Sequence, residues 1–176
     1  MRKPVTAIGS RLEPFFDDFL VDELFGKAEL RLHRPTPQEV AVVHDELWEG
    51  NASCNHTVFK DKGLYRMYYR GSHLDVAGGK LNADPNSPRR GKRCCYAESD
   101  DGIRWRKPSL GLFDYGGSKA NNIIMPDARG TIGNVRINGE ALTVFKDENP
   151  DVRPDALYKG FGVADSSFAF GVLAFK

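Results

Sequence analysis

The sequence has little of several features that usually point to a function. Its 176 residues carry 25 Lys and Arg against 24 Asp and Glu, so the formal net charge is only +1. Without a strong positive field, the chain lacks the usual basis for binding nucleic acid or an anionic membrane. It has no apolar run long enough to span a bilayer, and no apolar core of a signal peptide follows the basic N-terminus. We therefore expect a globular chain with no nucleic-acid or membrane partner, and the cytoplasm is its default compartment.

Cysteine is also scarce, and its count is odd, since only Cys54, Cys94 and Cys95 are present. Adjacent residues of a strand point to opposite faces, so Cys94 and Cys95 are badly placed to bridge each other. Together with His56, the cysteines match no standard zinc spacing. We expect reduced, partly buried thiols, and we predict neither a metal site nor a cofactor.

Long amphipathic helical patterns are absent, and short strands are the pattern that is present. Thr57–Asp61 and Leu64–Arg70 flank a turn in which Gly63 is free to take a positive φ, and this predicts a β-hairpin. Cys94–Glu98 predicts a third strand, and Ile103–Trp105 predicts a fourth after a Ser-Asp-Asp-Gly turn. One antiparallel four-stranded unit is therefore expected.

Part of this unit is repeated further along the chain. Thr143–Asp147 matches Thr57–Asp61 letter for letter. Leu157–Lys159 then corresponds to the start of the second strand, and a third strand follows with Ala174 in the position of Ala97. Repeated four-stranded units joined by turns are typical of a β-propeller.

Five segments, taken in order, resemble bacterial proteins of the glycosyl-hydrolase type. They are Phe16–Asp22, Trp48–Ser53, Leu64–Ser72, Tyr96–Trp105 and Gly117–Ile124. From about residue 12 onward, the chain is similar to the five-bladed propellers of the invertase, levansucrase and arabinanase superfamily, glycoside hydrolase families 32 and 43 among them. Many propellers share the Ser-x-Asp-Gly-x-x-Trp turn, so the ordered combination of segments is more specific than any one of them.

The resemblance implies an all-β fold, a partial five-bladed β-propeller of about two four-stranded antiparallel blades, the second lacking its last strand. We expect residues 1–47 to form an N-terminal segment with ring-closing or packing strands, in which Glu29–Arg34 alternates as a strand does. Residues 48–108 are expected to form the first full blade, and residues 109–176 the second, incomplete one. Five blades would need more than twice this length, so we expect a truncated N-terminal part whose open strand edges favour self-association. An unrelated lectin-like β-sandwich is the alternative fold.

The resemblance also implies a site in the central funnel, where enzymes of this type use three acids from successive blades. Glycoside hydrolysis needs two carboxylates, one to protonate the leaving oxygen and one to attack or to activate water. At the first position this chain reads Trp-Glu-Gly-Asn without the usual aspartate, and we predict Glu49 as the catalytic residue, with a solvated loop charge as the alternative. The corresponding second position holds Val135 and Ile137, and Glu140 is only nearby.

Five further side chains are candidates for substrate binding. They are Trp48, Asn51, Tyr69, Arg70 and His73. Trp48 would be a platform for stacking a sugar, or else a core residue. Arg70 would bind a carboxylate of the protein or of a sugar acid in bidentate fashion, or else form a surface salt bridge.

We therefore expect a glycoside-hydrolase-like, carbohydrate-active protein that acts on or binds an oligo- or polysaccharide, and an O-glycosyl hydrolase if it is active. A complete set of catalytic acids is not visible in the sequence. The alternative is therefore a non-catalytic glycan-binding or structural propeller fragment.

Overall fold

The computed structural model describes residues 5–11, 13–14, 17, 19–82, 91–126, 130–132, 135–164 and 170–175. The chain divides into two compact units, residues 1–39 and residues 40–176. The described residues of the first unit form turns and extended segments without a paired strand, and Glu29–Arg34 is one of these segments. Leu30 and Leu32 are 58% and 93% exposed, so the alternating pattern has no apolar partner to cover it.

The second unit contains two four-stranded antiparallel sheets and a small hairpin. The strands are β1 (Cys54–Asp61), β2 (Leu64–Ser72), β3 (Asp75–Ala77), β4 (Lys80–Asn82), β5 (Lys92–Ser99), β6 (Ile123–Met125), β7 (Gly130–Ile132), β8 (Val135–Lys146), β9 (Tyr158–Ala164) and β10 (Phe170–Phe175). The first sheet has the order β1-β2-β5-β6, the second has the order β10-β9-β8-β7, and β3 pairs with β4. A short 3-10 helix, Pro154–Ala156, precedes β9. The described residues contain no α-helix, so the expected all-β class is confirmed, and no described helix could cross a bilayer.

The predicted first hairpin is confirmed. Lys60 pairs with Tyr65 and Asp61 pairs with Leu64 across the turn. Gly63 takes a φ of 88°, a left-handed value that glycine adopts without steric cost.

The fourth strand of the first sheet is not the predicted one. Residues 103–105 form no strand, because the side chain of Asp101 accepts hydrogen bonds from the backbone N–H groups of Ile103 and Arg104 at 2.8 and 2.7 Å. A single bridge between Glu98 and Arg106 is all that remains of the expected pairing.

The strand β6 takes the place beside β5. Its residues Ile123 and Met125 are 1% and 4% exposed, so this strand buries apolar side chains, whereas Ile103 is 44% exposed. The first sheet therefore extends beyond residue 108, where the first blade was expected to end.

The repeated segment has the same pairing in both sheets. Lys146 pairs with Tyr158 in the second sheet as Lys60 pairs with Tyr65 in the first. The pairs of the three preceding residues follow in the same order, so the first four of the five identical letters occupy equivalent positions in β1 and β8.

The third strands are offset by one residue from the predicted correspondence. Ala97 pairs with Met67, and the counterpart of Met67 in the second sheet is Gly160, which pairs with Leu173. Ala174 is therefore one residue beyond the position of Ala97, and this part of the predicted alignment is wrong. The letter-for-letter identity lies in β1 and at the end of β8, so it does not fix the register of β5 and β10, which are two strands away in their sheets.

Two apolar clusters form the core of the second unit. One lies in the first sheet and includes Met67 and Ile123. The other joins Cys94 and Met125 of the first sheet to Leu142 and Val144 of the second. Contacts of this kind, non-directional and dry, account for most of the stability of a small β-domain.

The three cysteines are free thiols, as expected. Cys94 and Cys95 are buried, and burial raises the pKa of the Cys95 thiol to about 12. These thiols are therefore protonated at neutral pH and inert as nucleophiles.

Candidate functional site

The turn that precedes β1 brings Glu49 into the interior. A Cβ atom on Gly50, which has a φ of +69°, would lie 2.2 Å from the carbonyl oxygen of Ser72. A Cβ atom on Gly71 would lie 2.9 Å from the carbonyl oxygen of Trp48. The two glycines therefore let the turn pack directly on the end of β2, with the Glu49 side chain 0% exposed.

The Glu49 carboxylate is fully occupied by hydrogen bonds. Oε1 accepts from the Tyr69 hydroxyl at 2.5 Å and contacts the Nδ1 atom of His44 at 3.2 Å. Oε2 accepts from the Lys107 ammonium at 2.7 Å and from the backbone N–H of Glu46 at 2.9 Å. Burial alone would raise the pKa of Glu49, but the donors, Lys107 first, shift this pKa below its ordinary value. Glu49 is therefore an ionised, buried carboxylate.

Lys107 links Glu49 to a second carboxylate, that of Asp45. Its ammonium lies 3.0 Å from the Asp45 Oδ1 atom and 2.5 Å from the Val43 carbonyl oxygen. Burial opposes the charge of Lys107, but the two carboxylates raise its pKa, and Lys107 in turn lowers the pKa of Asp45. A general acid in a glycosidase needs a carboxyl group whose pKa is raised. The shared lysine has the opposite effect on both of these groups.

Tyr69 continues the network on the other side of Glu49. Its hydroxyl accepts a hydrogen bond from Asn122 Nδ2 at 2.8 Å, and the same nitrogen donates to the Tyr96 carbonyl oxygen at 2.6 Å. Burial and the bond to Glu49 raise the pKa of Tyr69, so the phenol remains a neutral donor.

A pair of histidines leads from Glu49 toward the surface. The Nε2 atoms of His44 and His56 are 2.8 Å apart. The ring of His56 is exposed and stacks on Tyr69, with ring centroids 5.6 Å apart and an interplanar angle of 11°. Partial burial of the ring and the neighbouring His44 lower the pKa of His56, so this imidazole is neutral at pH 7.

Three of the predicted site residues meet in this network. They are Trp48, Glu49 and Tyr69. Trp48 is half-buried, and its Nε1 atom donates to Asn122 Oδ1 at 2.6 Å. Its ring also packs edge-on against Tyr115, with centroids 6.1 Å apart.

The other predicted binding residues contact different groups. Asn51 exchanges two hydrogen bonds with the backbone of Leu74, at 3.0 and 2.8 Å. His73 lies 3.0 Å from the Asp75 carboxylate. Arg70 is half-buried in β2, and the side chain of Glu140 lies outside the described residues.

Sequence reasoning assigned no role to several groups of the network around Glu49. His44 and Lys107 belong to no motif, Asn122 lies in the segment Gly117–Ile124 but was not singled out, and His56 was weighed only as a metal ligand. Lys107 and Asn122 are more than 50 positions from Glu49 along the chain, so only the fold brings them together. His44 was the one accessible signal, because it lies five residues before Glu49.

The Tyr69 hydroxyl gives a direct test of the network. We expect Tyr69→Phe to lower the free energy of unfolding by about 1–3 kcal/mol, because it leaves buried groups of Glu49 and Asn122 without their partner. Urea denaturation measures this change, and Tyr65→Phe is the matched control in the same strand. Equal effects of the two substitutions would contradict the network.

No metal centre is visible in the part of the chain that the structure describes, because no three His, Cys, Asp or Glu side chains are grouped to hold an ion. The site is thus a hydrogen-bonded carboxylate with a histidine pair that reaches the surface. Comparisons of the chain with protein-family models, with curated proteins and with solved structures found no match, so its function is inferred from this geometry and from the sequence.

Proposed function

We propose that this chain is a carbohydrate-binding protein of the glycosyl-hydrolase propeller type, which binds a glycan at the start of β1 without cleaving it. The burial of Glu49 carries this proposal. A carboxylate that is 0% exposed and already bonded to Lys107, Tyr69 and a backbone N–H has no free edge to offer a glycosidic oxygen.

The pairing of β1 with β2 is repeated in the pairing of β8 with β9, and this supports the propeller part of the proposal. Two hairpins that share a five-residue segment and the same register are what successive blades of one propeller would have in common.

The surface at the start of β1 supports the carbohydrate part. The exposed ring of His56 lies there, held from below by its stacking on Tyr69. Exposed Asn51 precedes it, with its side chain fixed by the Leu74 backbone. A flat ring beside ordered polar groups suits a neutral, hydroxyl-rich ligand, because ligand sites combine apolar area with a few fixed polar groups.

Oligosaccharide panels test the proposal. We expect a bound oligosaccharide at about 100 times its Kd to add about 2.7 kcal/mol to the stability of the folded state, through mass action. That gain raises the Tm by about 5–10 °C for a chain of this size. Chromatography of the same mixtures should show no new reducing ends.

Two results would contradict the proposal. New reducing ends that disappear in Glu49→Gln would show that the chain is a glycosidase and that Glu49 is catalytic. If no oligosaccharide of the panel raises the Tm and none is cleaved, carbohydrate is excluded as the ligand.

A further inference from the structure

We infer that Glu49, His44 and His56 form a hydrogen-bonded relay that fixes the tautomer of His56, so that the Nδ1 atom of His56 accepts a hydrogen bond from a ligand hydroxyl. The relay stands on its own geometry. Only the class of ligand, a hydroxyl-bearing glycan, rests on the proposed function.

The relay begins at the buried carboxylate. Ionised Glu49 accepts hydrogen bonds and donates none, so the Nδ1 atom of His44, 3.2 Å from Oε1, carries the proton of their contact. In the neutral form of His44 the imidazole has one donor and one acceptor nitrogen, so with the proton on Nδ1 its Nε2 atom is the acceptor. The same carboxylate–imidazole contact sets the tautomer in many catalytic and metal sites.

The second contact then sets the tautomer of His56. Because His44 Nε2 is an acceptor, the proton between the two Nε2 atoms, 2.8 Å apart, belongs to His56. The Nδ1 atom of His56 is left without a proton on a ring that is exposed to solvent. This atom is the acceptor that the relay offers to a ligand.

The ring geometry favours a shared proton over a shared metal ion. The centroids of the two rings are 5.0 Å apart, which exceeds the distance between the nitrogens by about two ring radii. The rings therefore meet head-on, along the axis of an N–H···N bond. A zinc ion would need about 2.0–2.1 Å to each nitrogen, and a head-on gap of 2.8 Å has no room for it.

The charged groups described next to the pair lie on the His44 side. Glu49 and Asp45 are the anions on the His44 side, Lys107 is the cation bound to both of them, and Tyr69 is a neutral donor. The N–H···N bond between the rings needs one of the two facing Nε2 atoms without a proton, so it cannot form when both rings are doubly protonated.

Long-range proton–nitrogen NMR of the full chain tests the relay without any ligand. At pH 7 we expect His44 to be protonated on Nδ1 and His56 on Nε2. In a second sample the half-buried His44 is replaced, His44→Phe, and His56 should then show the mixture of Nδ1–H and Nε2–H tautomers of a free histidine side chain. Protonation of His44 on Nε2, or an unchanged His56 tautomer in His44→Phe, would overturn the relay.

Binding of a neutral oligosaccharide from the panel tests the role of the relay. His56→Phe keeps a ring on Tyr69 but removes the acceptor, and we expect a loss of affinity of about tenfold, the usual worth of one hydrogen bond. The matched control is His33→Phe, in the other unit, with unchanged affinity. Equal affinity of wild type and His56→Phe would overturn the ligand contact. If no oligosaccharide binds, the proposed function fails, and the tautomers still decide whether the relay exists.

Discussion

Replacing Glu49 by alanine is expected to lower the free energy of unfolding by about 3–5 kcal/mol, a large fraction of the 5–15 kcal/mol of a typical domain. The substitution leaves the Lys107 ammonium and the Tyr69 hydroxyl without the acceptor that they share in the interior. Breaking a buried ion pair by removing one partner leaves an uncompensated charge, which is why the effect is large. Urea denaturation monitored by tryptophan fluorescence measures it.

Asp45→Ala is the matched control, because Asp45 also binds Lys107 but its side chain is 72% exposed. Solvent replaces a partner of that kind, so we expect a much smaller loss of stability. Equal losses for Glu49→Ala and Asp45→Ala would show that the buried carboxylate contributes no more to the free energy of unfolding than the exposed one.

Acidification tests the charge of the same carboxylate. The pKa of Glu49 is lowered in the folded chain, so its contribution to stability is complete above the pKa of the unfolded chain, about 4.3. The contribution is lost as the pH falls through the lower, folded value. Wild type should therefore lose its stability advantage over Glu49→Gln on acidification below about pH 4.

Replacing Asp61 by alanine is the second substitution with a large expected effect, a loss of about 3 kcal/mol. Asp61 is 2% exposed at the end of β1. It accepts hydrogen bonds from the Lys146 ammonium at 2.9 Å and from the Tyr158 hydroxyl at 2.8 Å, both in the second sheet. The Arg66 guanidinium lies 3.5 Å away. Asp61 thus joins the two sheets, and its loss leaves charged groups unpaired at their contact.

The repeat supplies the control for Asp61. Asp147 ends the second copy of the same five letters and pairs with Lys159, but its side chain is 20% exposed. We expect Asp147→Ala to have a clearly smaller effect in the same urea experiment. A larger loss for Asp147→Ala than for Asp61→Ala would contradict the description of Asp61 as the link between the sheets.

Local pattern was enough to predict the hairpins. The β-branched and aromatic residues of Thr57–Asp61 and the turn at Gly63 are signals that a short window of the sequence contains. The pairing of β8 with β9 agrees with the prediction from the copy at Thr143–Asp147.

The fourth strand was not predictable in the same way. Ile103 has the residue type of a strand, but the Asp101 side chain takes up the backbone N–H groups that a strand would need. The choice of Ile123–Met125 instead depends on burial against residues far away in the chain, which no local pattern contains.

The candidate site was predictable in position but not in chemistry. The sequence indicated Glu49 and its neighbour Trp48, and the fold joins Glu49 to Tyr69 directly and Trp48 to Tyr69 through Asn122. The pKa of Glu49, however, depends on Lys107, whose approach results from the loop after β5. A carboxylate that reads as catalytic in the sequence is therefore held by the fold as a buried anion.

The ionisation of Glu49 in the intact chain tests this account most directly. A pH titration followed by the carbon-13 shift of its side-chain carboxyl group reports the charge of that one residue. The account predicts that Glu49 titrates below the ordinary glutamate value and stays ionised at neutral pH. Titration above that value, in the range of a glycosidase general acid, would contradict it and restore Glu49 as a catalytic residue.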